Sequence, residues 1–440
     1  MTADTAARVA IIGGGYAGLA AAVSLAGHGI CSTLIEAGRL LGGRARRVDY
    51  RDEVIDNGQH ILSGAYSETL RLMNLVGVPE NAMSRIPLTL TMPPRFSLQA
   101  PRWPAPFHLI WALLSAQGLT LADRIAAIRF MQMLRRAKFR VGAGDTVAGL
   151  LAAHRQPDKL IRYLWQPLTI SALNTPMSAA SAQVFANVLR DALASERAGS
   201  DMLLPRTDLS ALFPDVAATW VAARGCRVDR GQRIRSVVAK NNRFAVATDA
   251  GEETFDAVIM AIGPHQIDSV TLPPTCNVVM PFRYEPIVTI YLKFDQRVRL
   301  PYPMFGQVDG LAQWFFDRRQ LSVANAHQDD GLIAAVISAS GAHDVLSQDE
   351  LAARVRDELT RHFGPLPAPA WHKVVTERFA TFSCTPQVQA NRPANVTATP
   401  GLLLAGDYTA GDYPATIEGA VRSGICAAAH ASTYLAAKPS

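Results

Sequence analysis

Cysteine is scarce and scattered: the five thiols, Cys31, Cys226, Cys276, Cys384 and Cys426, include no CxxC pair. The sequence therefore suggests neither a zinc site nor a disulfide framework, no metal is expected, and a reducing cytoplasm suits the chain. Also missing is any long run of basic residues. The chain has 43 Lys and Arg against 37 Asp and Glu, a surplus of six, but no tract of the kind that grips a polyanion. Nucleic acid is set aside as a partner, and a mild attraction to anionic lipid headgroups is the more natural use of the surplus. The opening MTADTAAR has no basic stretch ahead of an apolar core, so no secretory leader is expected. The apolar stretch Val9 to Ile30 is punctuated by glycines and by His28, and no other run approaches the roughly 18 to 20 apolar residues of a spanning helix. A cytoplasmic protein is expected, with contact at the inner face of the membrane left open. At 440 residues the chain has ample material for two or three domains of about 150 residues each.

What is present begins at Val9. Arg8 to Ile12 reads as a buried strand, Gly13-Gly14-Gly15-Tyr16-Ala17-Gly18 follows, and an Ala/Leu-rich helix runs to about Ala26. This is GxGxxG in the setting it requires. Gly13 permits a tight turn, Gly15 admits a pyrophosphate close to the backbone, Gly18 lets the helix lie on the sheet, and the phosphates meet the positive end of the helix. The strand Ser32 to Ile35 then delivers Glu36 and Ala37, and Glu36, 18 residues beyond Gly18, is placed to accept a hydrogen bond from an adenosine ribose. A dinucleotide site is expected.

The segment Gly38 to Tyr50, GRLLGGRARRVDY, resembles the ExxxxxGGR continuation of the glutathione-reductase-like and amine-oxidase-like flavoproteins. The resemblance implies FAD, with Gly42 and Gly43 passing close to the cofactor and Arg44 beside its phosphates. Cys226 to Pro264 reads as a β-meander ending in a buried strand, Ala257 to Ala261. The families' equivalent of Ile234 lies against the adenine; a plain core role for Ile234 stands equally open.

A second fingerprint stands near the other end. The strand Leu402 to Ala405 ends in Gly406-Asp407, whose carboxylate can accept from ribityl hydroxyls. After Tyr413-Pro414, ATIEGAVRSGICAAAHA has helical composition, with Pro414 and Thr416 at its start. A helix opening at Thr416 and Ile417 would stabilise the negative charge that reduced flavin carries near N1 and O2. The fold expected is α/β: a Rossmann-like FAD-binding domain of the glutathione-reductase/amine-oxidase type, assembled from segments 1–85, 213–272 and 376–440, with an inserted mixed helical and β substrate domain from 86–212 and 273–375.

In the inserted stretches, Thr120 and Asp123 resemble a capping box opening LADRIAAIRFMQMLRRAKFR, and Ser178 precedes a helix AASAQVFANVLRDAL. The helix from Leu121 is apolar at first and basic at its end, with Arg135, Arg136, Lys138 and Arg140. It is either a core helix whose cations complement its dipole or one that dips into a bilayer surface, and FHLIWALL upstream carries the same ambiguity.

Three strings go beyond a generic flavoprotein: LLGGRARRVDY with DNGQHILSGAYSETLRLM, LWQPLTISALNTPMSAASAQVFANVLRDAL, and SDMLLPRTDLSALFPD. By them the chain resembles the hydroxysqualene dehydroxylases, the squalene-associated FAD proteins of bacterial hopanoid biosynthesis, from Val9 to about Ala428. The resemblance implies a C30 isoprenoid allylic alcohol as substrate, squalene as product, and hydride from reduced FAD. Such chemistry needs an acid near the hydroxyl, an apolar tunnel and a fixed flavin. Asp56 and His60 in DNGQH, which follows the GGR segment toward the flavin, are candidates for the acid, and Gly58 between them is a candidate cofactor contact or simply permits the turn. Arg190, Asp191 and Asp201 in the family-like strings, and Tyr413 beside the last helix, are others. Each has a plain alternative as a structural partner, and none is singled out. The rivals are a flavin desaturase or amine-oxidase-like oxidase, which takes hydride instead of giving it, and a lipid carrier without catalysis. No second nucleotide fingerprint is visible, so the electron donor is left unidentified.

Overall fold

The computed structural model describes residues 8–276, 282–295, 298–321 and 329–438; most of the opening stretch read above for a leader lies outside them. A five-stranded parallel sheet forms the base. Its order in space is Arg227–Arg230, Ser32–Glu36, Val9–Ile12, Ala257–Met260, Leu402–Leu404. The three inner strands are buried along almost their whole length, which is why they read as unbroken apolar runs with no alternation. The chain leaves Val9–Ile12 toward one side of the sheet and returns on the other, so the strand order reverses beside it.

Arg227–Arg230 corrects one expectation. It is not the first strand of the meander but the outer strand of the parallel sheet, in register with Ser32–Glu36. Its exposed arginines are tolerated because an edge strand is open to water on one side. The meander proper is Ile234–Lys240, Arg243–Thr248 and Gly251–Phe255.

The first helix, Tyr16–Gly27, is buried around nearly its whole circumference. It packs against the last, Ile417–Ala436, so closely that a Cβ on Gly424 would fall 2.1 Å from the Ala17 carbonyl oxygen. Only glycine allows that approach. Leu209, Leu212 and Phe213 pack into the same core.

A second, antiparallel sheet is built around Tyr284–Lys293, flanked by Leu332–Ser338 and Trp371–Phe382. Alternation divides its faces: Val288, Ile290 and Leu292 meet Leu351, Val355 and Leu359 of the helix Gln348–Phe363, while Tyr291 joins the larger core on the opposite side. The helices of the middle of the chain include Phe107–Ser115, Leu121–Arg136 and Ala182–Leu193. The Thr120–Asp123 capping box is formed. The helix assigned to Ser178 starts later, at Ala182, because Ser181 is the residue whose hydroxyl accepts from an N–H of the first turn, that of Val184. No helix among the described residues is long and apolar enough to cross a membrane.

Candidate functional site

Parallel pairing brings the carboxyl ends of four strands to one edge, the place where open α/β sheets bind ligands. Gly13 to Gly18 follow the first strand, Glu36 ends the second, Gly263 follows Ala257–Met260, and Gly406-Asp407 follow Leu402–Leu404. Gly13 has φ +110°, and its Cβ would lie 2.6 Å from the Ala261 carbonyl oxygen; a Cβ on Gly18 would lie 1.9 Å from that of Gly13. These two glycines are demanded by the protein itself. Gly15 is different: φ is −77°, ordinary for any residue, and a Cβ would meet nothing nearer than the Gly43 Cα at 3.8 Å. The space above it is free, and no side chain caps the helix N-terminus that opens there.

Gly42 donates its backbone N–H to the Gly14 carbonyl at 2.8 Å, and Gly42 and Gly43 both have positive φ, so the GGR turn lies on the first glycine turn. Arg44 then reaches across the edge. Its guanidinium donates to Asp407 at 2.6 Å and to the Ala380 carbonyl at 2.7 Å. The two sequence fingerprints are thus joined by an ion pair between residues 363 apart. Glu36 accepts from Gly14 and Gly38 N–H, each at 2.7 Å. Ile234 is a buried member of the main core, and Gln232 two residues before it donates its backbone N–H to the Glu36 carbonyl. Tyr16 points into the core, stacked on Phe213 at 5.3 Å, so only its backbone faces the edge. Ala17 is buried, Ala37 exposed. Thr416 caps the last helix, accepting from Gly419 N–H at 3.1 Å, with Ile417 its first residue.

Around Arg44 and Asp407 lies a cleft lined by Gly263, Pro264, His265, Tyr284, Phe379, Phe382 and Tyr408. His265 stacks on Phe379 at 4.1 Å and meets Tyr284 edge-on. The hydroxyls of Tyr284 and Tyr408 and the Gln232 Oε1 are buried and find no partner. Buried polar groups rarely stay unpaired in a working protein. Burial pushes the Tyr284 phenol up to about 12 and raises that of Tyr408 as well, the Asp407 charge adding to it. Sequence reasoning missed these groups. Tyr408 adjoins Asp407, but Tyr284 and Phe379 arrive on the second sheet with no motif to mark them. Arg392, also missed, is a buried hub that donates to the carbonyls of Asp407 and Tyr413, both at 2.7 Å, and so fixes the turn that carries Asp407.

The candidate acids are dispersed. Asp56 is buried with both oxygens engaged, accepting from Leu209 N–H at 2.9 Å and from Arg318 at 3.3 Å; burial pushes its carboxyl up to about 6 against the pull of Arg318. The His60 Nδ1 is 2.8 Å from the carbonyl of buried Gly58, and burial, aided by the charge of Arg44, lowers its pKa. Asp191 and Tyr413 do come together: the phenol donates to Asp191 at 2.8 Å and Arg190 binds the other oxygen at 2.7 Å. Burial works to raise the Asp191 pKa, but Arg190 and Tyr413 outweigh it and hold the carboxylate below its usual range. Asp201 is clamped by Arg85 and Arg197. Among the described residues no group of three or more His, Cys, Asp or Glu could hold a metal.

A free space over a helix N-terminus, an acid at the second strand end, a cation paired with Asp407 at the last strand end and orphaned hydroxyls beyond make a cradle that fits a flavin dinucleotide. The sequence matches the family described as flavin containing amine oxidoreductase over residues 16–432, and the chain belongs to that family; FAD is its cofactor and it is an oxidoreductase. Cyclohexylamine oxidase from Brevibacterium oxydans shares the fold, with a TM-score of 0.67 at 17% identity over 98% of this chain and 100% of the other. Within the family the chain belongs with the hydroxysqualene dehydroxylases. It is 31% identical over 442 residues to that of Rhodopseudomonas palustris, covering 96% of this chain and 97% of the relative, and 30% identical over 436 residues to that of Zymomonas mobilis, covering 95% and 97%.

Proposed function

We propose that the protein removes the hydroxyl of hydroxysqualene to give squalene. The observation that carries the reading is the likeness to hydroxysqualene dehydroxylases along nearly the whole of both chains. When bound, reduced FAD supplies the hydride. The residues assigned to hold it are Gly13, Gly15 and Gly18 with the N–H groups of Tyr16 and Ala17 at the pyrophosphate, Glu36 and Ala37 at the adenosine ribose, and Ile234 near the adenine. Gly42, Gly43 and Arg44 stand along the phosphates, Gly58 and Gly406 close against the cofactor, Asp407 at the ribityl chain, and Thr416 with Ile417 at the flavin pyrimidine. Segments 1–85, 213–272 and 376–440 make up the FAD-binding part, and 86–212 and 273–375 the substrate part.

The net change is the substrate alcohol plus a proton and a hydride giving the hydrocarbon and water. The C–O bond breaks with its electron pair leaving on oxygen, and an allylic cation is left. Aromatic faces stabilise such a cation, and Tyr284, Phe379, Phe382 and Tyr408 bring them to one cleft. The same rings exclude water that would recapture the cation. Tyr284 remains a phenol at neutral pH and has a hydroxyl hydrogen free to assist the departing oxygen. Tyr413 and Asp191, tied to each other, position the last helix and the loop before it.

The test is anaerobic. Dithionite-reduced protein is mixed with hydroxysqualene, flavin reoxidation is followed by absorbance, and the product is identified by mass spectrometry. Squalene appearing in step with reoxidation supports the reading. Flavin that stays reduced with no squalene removes it, and oxidised flavin that bleaches on adding an isoprenoid hydrocarbon would favour a desaturase.

A further inference from the structure

Away from the cleft, the inserted helices carry an uncovered apolar face. On the helix Phe107–Ser115 the outward stripe is Phe107, Ile110, Trp111 and Leu114, at helical spacing, and all four are exposed, Phe107 to 62% and Trp111 to 49%. The buried stripe is small by contrast, His108 and Ala112. The exposed Trp103 lies ring to ring with Trp111 at 5.2 Å. Leu121, 66% exposed, and Ile125 continue the apolar surface on the next helix. Contiguous large apolar side chains of this kind mark an interaction surface.

Charge says which. Along Leu121–Arg136 the outward positions pass from Leu121 and Ile125 to Arg129, Gln132 and Arg136, all exposed. Residues 93–142 hold eight Lys and Arg and one acid, Asp123, and that acid caps its own helix. The segment's net charge of +7 exceeds the +6 of the whole chain, so everything outside it sums to −1. Of the eight cations only Arg95 pairs with a carboxylate among the described residues, Asp309. Two copies meeting through this face would set like charges together, whereas anionic phospholipid meets both the cations and the apolar stripe. We infer that these two helices dock the protein on an anionic bilayer, Trp103, Phe107 and Trp111 lying at the headgroup boundary where indole rings prefer to sit. The inference rests on the reading of the substrate as a C30 isoprenoid, which reaches the enzyme through lipid. Behind the docking helix the rings of Phe130, Trp165 and Phe185 lead inward at 5.2 and 6.4 Å to the helix Ala182–Leu193, where Asn187 holds the Asp412 carbonyl next to Tyr413.

The test uses full-length holoenzyme, sedimented with vesicles of phosphatidylglycerol mixed with phosphatidylcholine or of phosphatidylcholine alone. The wild type should bind the anionic vesicles, and both Phe107→Ser with Trp111→Ser and Arg129→Gln with Arg136→Gln should weaken that binding about tenfold or more. All changed side chains are solvent-exposed, so melting temperature and turnover of detergent-dispersed hydroxysqualene should stay as in the wild type. Absence of squalene from every variant and the wild type would be a failure of the substrate reading, separate from lipid binding. Wild-type protein that ignores anionic vesicles, variants that bind as well as wild type, or a dimer in light scattering that Phe107→Ser converts to monomer would each overturn the docking proposal.

Discussion

Replacing Gly15 by alanine should separate the needs of the fold from those of the cofactor. Its backbone is extended, with φ −77° and ψ −179°, and the nearest atom to an added Cβ is 3.8 Å away. The ligand-free variant should therefore be no less stable than the wild type, and by restricting the unfolded chain it should gain about 0.4–1 kcal/mol, a rise of about 1–3 °C in Tm. In the proposed placement of the cofactor, however, the methyl group would stand where the pyrophosphate approaches. Pushing the phosphates off two backbone N–H groups, each charge-assisted bond worth about 1.5–3 kcal/mol, implies at least about hundredfold weaker FAD binding. Calorimetry of apoprotein, visible absorbance of the purified protein and fluorescence titration with FAD read the two effects independently. Gly18→Ala is the contrasting control, because its Cβ would lie 1.9 Å from the Gly13 carbonyl oxygen, and it should fail to give folded protein. A Gly15→Ala protein that carries flavin at the wild-type level would refute the placement of the pyrophosphate.

Tyr284→Phe and Tyr408→Phe remove hydroxyls that lack partners; each apoprotein should be unchanged or up to about 1 kcal/mol more stable, while squalene formation by Tyr284→Phe falls at least tenfold, and equal rates would exclude the hydroxyl from the reaction. Arg392→Met leaves the carbonyls of Asp407 and Tyr413 without their donor, so urea denaturation should show a loss of about 3 kcal/mol together with reduced flavin content; a fully loaded, equally stable variant would contradict its role as a hub. The pKa values of His60 and His265 are lowered first by burial and then by Arg44, so the folded protein favours their neutral forms. Their contribution is full above the unfolded value near 6.5 and is lost as pH falls below it toward the folded values. Apoprotein melts from pH 8 to pH 5 should therefore fall less steeply for His60→Gln and His265→Gln than for the wild type, and identical slopes would count against this titration.

The nucleotide half was legible because its constraints are local. Gly13 must turn and Gly18 must lie against it, the next strand delivers Glu36 18 residues on, and that spacing survives any surroundings; Thr416 announces its helix by the same kind of short-range rule. Arg227–Arg230 was misplaced because alternating charge reads alike in a meander and on the edge of a parallel sheet; only the partner strand decides. Ser178 lost the helix start to Ser181 because both hydroxyls suit a cap, and burial of Ala180 and Ala182 fixed which one the helix follows. The cleft was least legible. Tyr284, His265 and Phe379 come from three separate segments and meet only when the second sheet folds against the first, so no spacing within the sequence encodes them.

The first helix rests on the last through Gly424 and the Ala17 carbonyl, and this sets a schedule for biosynthesis. A ribosome adding about 5–20 residues per second needs on the order of tens of seconds after the glycine turn has emerged before the segment carrying Asp407 and Gly424 exists. Throughout that interval the nascent amino-terminal strand and helix have neither their final packing partner nor a complete berth for the cofactor. Flavin loading consequently waits until that segment has been made, and a messenger truncated shortly before codon 402 would yield a colourless product despite encoding an intact GxGxxG.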